Sequence, residues 1–170
     1  MTKLIGATVL AAGIALVATS QLASAAEQAS AAMMNANGES VGAVTLRETP
    51  QGTLLHAKLE ILPAGAHAFH IHAVGACEPP FKSAGGHFNP TGKKHGIDNP
   101  EGMHVGDMPN IHVPESGALE IEVLNAQLRL DASLFDEDGA AIVIHEGPDD
   151  YVTDPAGAAG PRIACGVITQ

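Results

Sequence analysis

Residues 67–72 read HAFHIH and place three imidazoles in six positions. Side chains two apart on an extended chain leave the same face. His70 and His72 therefore project together, while Phe69 and Ile71 project from the other face. Two adjacent imidazoles on one strand suit a shared metal ion, but an H-x-H pair alone suits two solvated strand histidines equally well. Further along, SAGGHFNPTGKKHGIDNPEGMHVGD (83–107) carries His87, His95, His104 and Asp107. This segment has no periodic apolar pattern, so it has little intrinsic reason to be ordered. Convergence of its imidazoles and carboxylate on one ion would order it, and three nitrogens with one oxygen suit tetrahedral Zn²⁺. The alternative is a solvated loop with scattered histidines. His145 ends AIVIH, with Val143 on its side and Ile142 and Ile144 on the other. It is either a hydrogen-bonded strand-end histidine or a further ligand beside His70 and His72. Four imidazoles in a tetragonal arrangement would favour Cu²⁺.

The elements that must position these groups read as short strands. In LLHAKLEI (54–61), Leu55, Ala57, Leu59 and Ile61 share one face, and His56, Lys58 and Glu60 the other. In ALEIEV (118–123), Leu119, Ile121 and Val123 oppose Glu120 and Glu122. VGAVTL (41–46), AAIVIHE (140–146) and RIACGVI (162–168) are also strand-like, and NANGES (35–40) holds an Asn-Gly pair suited to a hairpin. Residues 27–29 read as a short frayed tail. Seven or eight short strands without a convincing helix predict an all-β sandwich or barrel. Two long irregular segments, 73–112 and 146–161, interrupt the strands, and loops of that length are usually functional.

The 170-residue chain is 45% apolar but only 3% aromatic, with no tryptophan. A core of Val, Ile, Leu and Ala in one domain follows. The N-terminus reads MTK, an apolar run over 4–18, then ASAAE. This is the pattern of a secretory signal peptide, residues 1–25, cleaved after Ala25 or Ala26 and leaving a domain over 26–170. The run is shorter than the roughly 20 residues of a membrane span. A soluble, exported protein in a bacterial periplasm is the expectation. Loss of Lys3 with the signal leaves 7 basic against 19 acidic residues, a net charge of −12. That balance argues against nucleic acid as a partner. Two cysteines, Cys77 and Cys165, most simply form one disulfide in an oxidising compartment, the alternative being two buried thiols. Such a bridge is worth about 4–5 kcal/mol on the chain-entropy model.

The segments FHIH, SAGGHFNP, KKHG, HVGD, HEGPDD and RIACGVI occur together and in order. In this the chain resembles the copper,zinc superoxide dismutases of the exported bacterial kind, over about residues 30–168. The resemblance implies an eight-stranded Greek-key β-barrel, an immunoglobulin-like sandwich with two long functional loops. It implies copper on His70, His72, His87 and His145, and zinc on His87, His95, His104 and Asp107, with His87 bridging the two. Asp149 would hydrogen-bond a ligand histidine of each metal. Arg162 would attract and orient superoxide, and Cys77 and Cys165 would form the family disulfide. The implied reaction is disproportionation of superoxide to dioxygen and hydrogen peroxide, with the copper redox-cycling and His87 carrying a proton. The resemblance is compatible with a monomer or a homodimer.

The sequence departs from the family's eukaryotic branch in the second loop. VTDPAGAAGP (152–161) has no lysine, and Ala158 stands where an asparagine is usual. Guidance of an anion towards a protein of this charge then needs local positive potential, for which Lys82, Lys93 and Lys94 are candidates alongside a solubilising role. His56 on its polar strand face reads as exposed. His67, off register from His70, and His112 read as satisfied or exposed histidines, with accessory metal or proton roles as the alternative. Two other functions remain for the same residues: a copper-binding or trafficking protein without turnover, and a zinc hydrolase, which would need an open metal position.

Overall fold

The computed structural model describes residues 26–170; the expected signal peptide over 1–25 lies outside the described residues. Nine strands follow in order: β1 (Gln28–Asn35), β2 (Ser40–Thr49), β3 (Gly52–Leu59), β4 (Gly65–His67), β5 (Phe69–His72), β6 (Ile111–Val113), β7 (Leu119–Asn125), β8 (Ala141–His145) and β9 (Arg162–Thr169). A 3-10 turn covers Lys82–Ala84. Seven strands form one antiparallel sheet in the order β5-β8-β9-β1-β2-β3-β7, and β4 pairs with β6. Only Ala68 separates β4 from β5. Counted as one bent strand, they give the eight strands of the expected barrel. Its first half pairs with β6 and its second half with β8.

Alternation builds the core. Ala29, Ala31 and Met33 of β1, Val41, Val44 and Leu46 of β2, and Leu55, Ala57 and Leu59 of β3 are buried in one apolar cluster with Phe69, Ile71, Ile142 and Ile144. Each large aliphatic chain removed from water stabilises by about 1.5–3 kcal/mol. The predicted hairpin at 35–40 joins β1 to β2, with Asn35 Oδ1 accepting from the backbone N–H of Asn37 and Glu39. Two local expectations fail. Residues 28–29 are not frayed: Gln28 pairs with Arg47 and Ala29 is buried. Small residues gave β1 little apolar contrast, and its order comes from its partners β2 and β9. Ile61 does not continue the inward face of β3. The strand ends at Leu59, and Ile61 turns outward at φ 52°, 59% exposed.

β5 and β8 are buried on both faces. One face enters the core, and the long loop between β5 and β6 covers the other. That loop is stitched along β5 by backbone bonds from Ile71 N to Gly106 O, Phe88 N to Ile71 O and Gly106 N to Phe88 O. A Cβ on Gly106 would collide with the Ile71 carbonyl, so this close approach requires glycine. The Cys77–Cys165 disulfide is formed, with Cα atoms 5.6 Å apart, and joins the start of the loop to β9.

Candidate metal centre

The stitching brings His87, His104 and Asp107 against the outer face of β5. Across that face His70 pairs with Val143 and His72 with Ala141, so His145, two residues beyond Val143, joins the same side. Two groups result. One nitrogen from each of His70, His72, His87 and His145 lies within 4.8 Å of the others, and the same holds for the ligand atoms of His87, His95, His104 and Asp107. All seven residues are buried, and His87 is common to both groups.

In the first group, the far side of each ring is occupied. His70 Nε2 lies 2.8 Å from Asp149 Oδ2, His72 Nδ1 3.0 Å from Gly85 O, His145 Nδ1 3.1 Å from Gly160 O and His87 Nδ1 2.8 Å from Asp107 Oδ1. The near-side atoms, His70 Nδ1, His72 Nε2, His87 Nε2 and His145 Nε2, are buried without a hydrogen-bond partner. Buried polar atoms are rarely left so, and among the described residues these four side-chain atoms are the exceptions. Acceptors behind His70, His72 and His145 hold the proton on the far nitrogen and leave the near lone pair for a cation. Burial favours the neutral ring, lowering His70 and His145 to about 4 despite the Asp149 and Gly160 acceptors, and His72 to about 2. The donor set fits copper.

The second group is polar and closed. Asp107 Oδ1 faces the Nδ1 atoms of His87, His95 and His104 at 2.8, 3.0 and 3.3 Å. Its Oδ2 accepts from the backbone N–H of Gly96 and His104, each at 3.0 Å. Burial would raise the Asp107 carboxyl, but the hydrogen bonds from His87, His95 and Gly96 prevail and hold it well below the usual carboxylate range. Burial likewise opposes charge on His95, but its bonds to Asp107 and Asp149 raise it to about 9. Three nitrogens around one carboxylate oxygen fit Zn²⁺. Asp149 spans the groups, with Oδ2 on His70 and Oδ1 3.0 Å from His95 Nε2.

Arg162 begins β9 and pairs with His145 across a register shift. Its Nη1 and Nη2 donate to Phe81 O and Gly85 O, each at 2.6 Å. Gly85 O thus links the guanidinium to His72. Among the lysines, Lys82 and Lys93 are exposed, and Lys94 lies 3.6 Å from Asp154. His56 is tied to Glu120 at 2.9 Å rather than standing alone in solvent. His67 is buried, with its two ring nitrogens 2.9 Å from His145 O and Pro63 O; it is a satisfied histidine. His112 is exposed. Sequence reasoning missed the supports behind the site, Gly85 O, Gly160 O, Asn110 and Tyr151. Carbonyls carry no residue-type signal, and Asn110 and Tyr151 act on Asp149 rather than on a histidine.

Residues 40–168 match the family model described as copper/zinc superoxide dismutase (SODC). The chain is similar to "Superoxide dismutase [Cu-Zn] 2" of Aquifex aeolicus (strain VF5), 54% identical over 147 residues, covering 83% of this chain and 86% of that one. It is similar to "Superoxide dismutase [Cu-Zn]" of Escherichia coli (strain K12), 40% identical over 144 residues, 77% of this chain and 80% of that one. Among solved structures it resembles the Cu/Zn superoxide dismutase from Brucella abortus, with a TM-score of 0.72 and 31% identity over 84% of this chain and 100% of that one. With a matching family model over most of its length, two histidine clusters and the expected barrel, the chain belongs to the copper/zinc superoxide dismutase family.

Proposed function

We propose that the protein disproportionates superoxide to dioxygen and hydrogen peroxide, with copper held by His70, His72, His87 and His145 and zinc by His87, His95, His104 and Asp107. The observation that carries this reading is the set of four unpartnered, buried ring nitrogens facing one another. Bound copper would supply a one-electron redox couple, and bound zinc would supply fixed positive charge beside His87. Two superoxides and two protons thereby give one dioxygen and one hydrogen peroxide. His87 Nε2 holds a proton that the second superoxide takes up on becoming peroxide. Arg162 docks the anion: its half-buried guanidinium is pinned by two carbonyls and keeps a fixed charge beside His72. Asp149 orients His70 and His95 together.

Lys82 is the guiding lysine. It is exposed one residue from Phe81, whose carbonyl Arg162 holds, whereas the charge of Lys94 is drawn to Asp154. The protein is exported to a periplasm after loss of residues 1–25. The start of the fold supports this, since Ala26 N donates to Leu130 O and β1 begins at Gln28. No helix of the described residues is long and apolar enough to cross a membrane.

Superoxide decay measured by stopped flow on mature protein loaded with copper and zinc, across a salt series, tests the reading. Fast catalytic decay is expected, lost on copper removal and slowed by salt. Lys82→Ala is expected to flatten the salt slope. Full metal occupancy with no decay beyond free buffer would leave a copper-binding protein without turnover.

A further inference from the structure

Tyr151 is strained. Its φ is 64°, a region that bulky residues avoid unless the surroundings over-determine them. Four contacts do so here. Tyr151 N donates to Asp149 Oδ1 at 2.6 Å. Its carbonyl accepts from Asp98 N at 3.1 Å and lies where a Cβ on Gly96 would stand. Its phenol oxygen accepts from Asn110 N at 2.8 Å. Asn110 in turn grips the main chain of Asp149 from both sides, with Nδ2 donating to Asp149 O at 2.9 Å and Oδ1 accepting from Asp149 N at 2.8 Å. Asp149, Tyr151 and Asn110 therefore close a ring of hydrogen bonds, and the carboxylate in that ring joins His70 to His95. Gly157 packs so closely that any Cβ would overlap Asp149 Oδ1.

We propose that Tyr151 is a positioning residue that locks the second loop to the first across Asp149, so that the zinc group keeps its geometry only while the Tyr151 phenol holds Asn110. It acts through Asp149 and makes no hydrogen bond to a histidine ring of the metal groups. The reasoning is one of leverage: the carboxylate makes its two ligand contacts at 2.8 and 3.0 Å only in one orientation, and Tyr151 fixes that orientation by its own backbone N–H and, through Asn110, by the backbone of Asp149. The proposal rests on the zinc assignment above and deepens it.

The test is Tyr151→Phe, which removes one oxygen and leaves Asn110 N without its partner. Zinc release from the copper- and zinc-loaded protein into a chelator is timed at neutral pH, and the visible spectrum of the cobalt-substituted zinc site is recorded. Release is expected to quicken about tenfold, the lower end of the effect of removing a group behind a metal ligand, with an altered cobalt spectrum. In an Asp149→Asn background the same change is expected to add nothing, because residues that act as one unit are not additive. Tyr151→Gly removes the phenol while relieving the positive φ. Fast zinc release from a variant no less stable than the parent would separate positioning from general loosening. A lowered Tm with unchanged zinc release and cobalt spectrum in Tyr151→Phe overturns the proposal, as does a parent protein that binds no zinc. Dismutation is not among the readouts, so a protein that holds zinc normally but fails to turn over superoxide would sink the activity and leave Tyr151 in place.

Discussion

The two metal groups share His87 but are built in opposite ways. The copper group takes His70, His72 and His145 from paired strands β5 and β8, and each of those rings is held from behind by a group outside the cluster. Its near face is a set of four buried ring nitrogens without hydrogen-bond partners. The zinc group takes every member from one loop, and its members hold one another through Asp107. The rings of the first group are oriented by strand pairing and by acceptors behind them. The members of the second are cross-linked by hydrogen bonds to both oxygens of Asp107. The difference teaches that the zinc group takes its order from the loop and the loop's backbone bonds to β5, while the copper group takes three of its four rings, and most of its order, from the barrel.

The strongest way to break this contrast is to remove the shared residue. His87→Ala deletes one donor from each group and the proposed proton carrier, and dismutation is expected to fall by about 10²–10⁴, measured by stopped flow on metal-saturated protein. Next comes Asp149→Asn, which weakens the acceptor behind His70 and His95. Copper and zinc affinities are each expected to drop by about 10–100-fold in chelator competition; a loss confined to zinc would show that β5 alone holds His70.

Acidification sharpens the contrast. Metal binding needs deprotonated ligands. Burial opposes charge on His95, but its bonds to Asp107 and Asp149 raise it to about 9, so zinc competes with a proton there below that pH, and its apparent affinity is expected to fall about tenfold per unit. Burial places His70 and His145 at about 4, so they are neutral above that pH and their protons do not compete with copper. Dialysis from pH 7 towards pH 4 is therefore expected to strip zinc before copper, read by elemental analysis. The smallest effect lies in the second loop. Ala158 has φ 52°, a conformation that asparagine and glycine adopt more readily. Ala158→Asn is expected to raise stability by about 0.5–1 kcal/mol in thermal or denaturant unfolding, without altering the order of metal loss.

Much of this was legible in the sequence, and the exceptions have physical causes. The alternation in 54–59 and 118–123 reported half-buried strands directly, and HAFHIH reported two imidazoles on one face because strand geometry leaves no other choice. β1 was faint because Ala and Ser carry little burial signal. Ile61 misled because periodicity does not say where a strand stops. Residue type and spacing offered His70, His72 and His145 and the loop set as candidate ligands, while the membership of His87 in both groups came from the family resemblance. The carbonyls of Gly85 and Gly160 could not be read in this way, since every residue has one and only the fold aims it. Tyr151 and Asn110 were silent for a related reason: their partner is another supporting residue, and such a partnership appears only when the loops are seen side by side.

The Cys77–Cys165 bridge has one more consequence. It makes a covalent circle of everything between those residues. His87, His95, His104, Asp107, His145, Asp149 and Arg162 all lie on the circumference; only His70 and His72 stand outside, on the approach to it. A circle cut once is still one piece. A protease that nicks the chain once between Cys77 and Cys165, in either long loop, therefore does not separate the fragments while the bridge is intact, and the metal centre remains a single molecule.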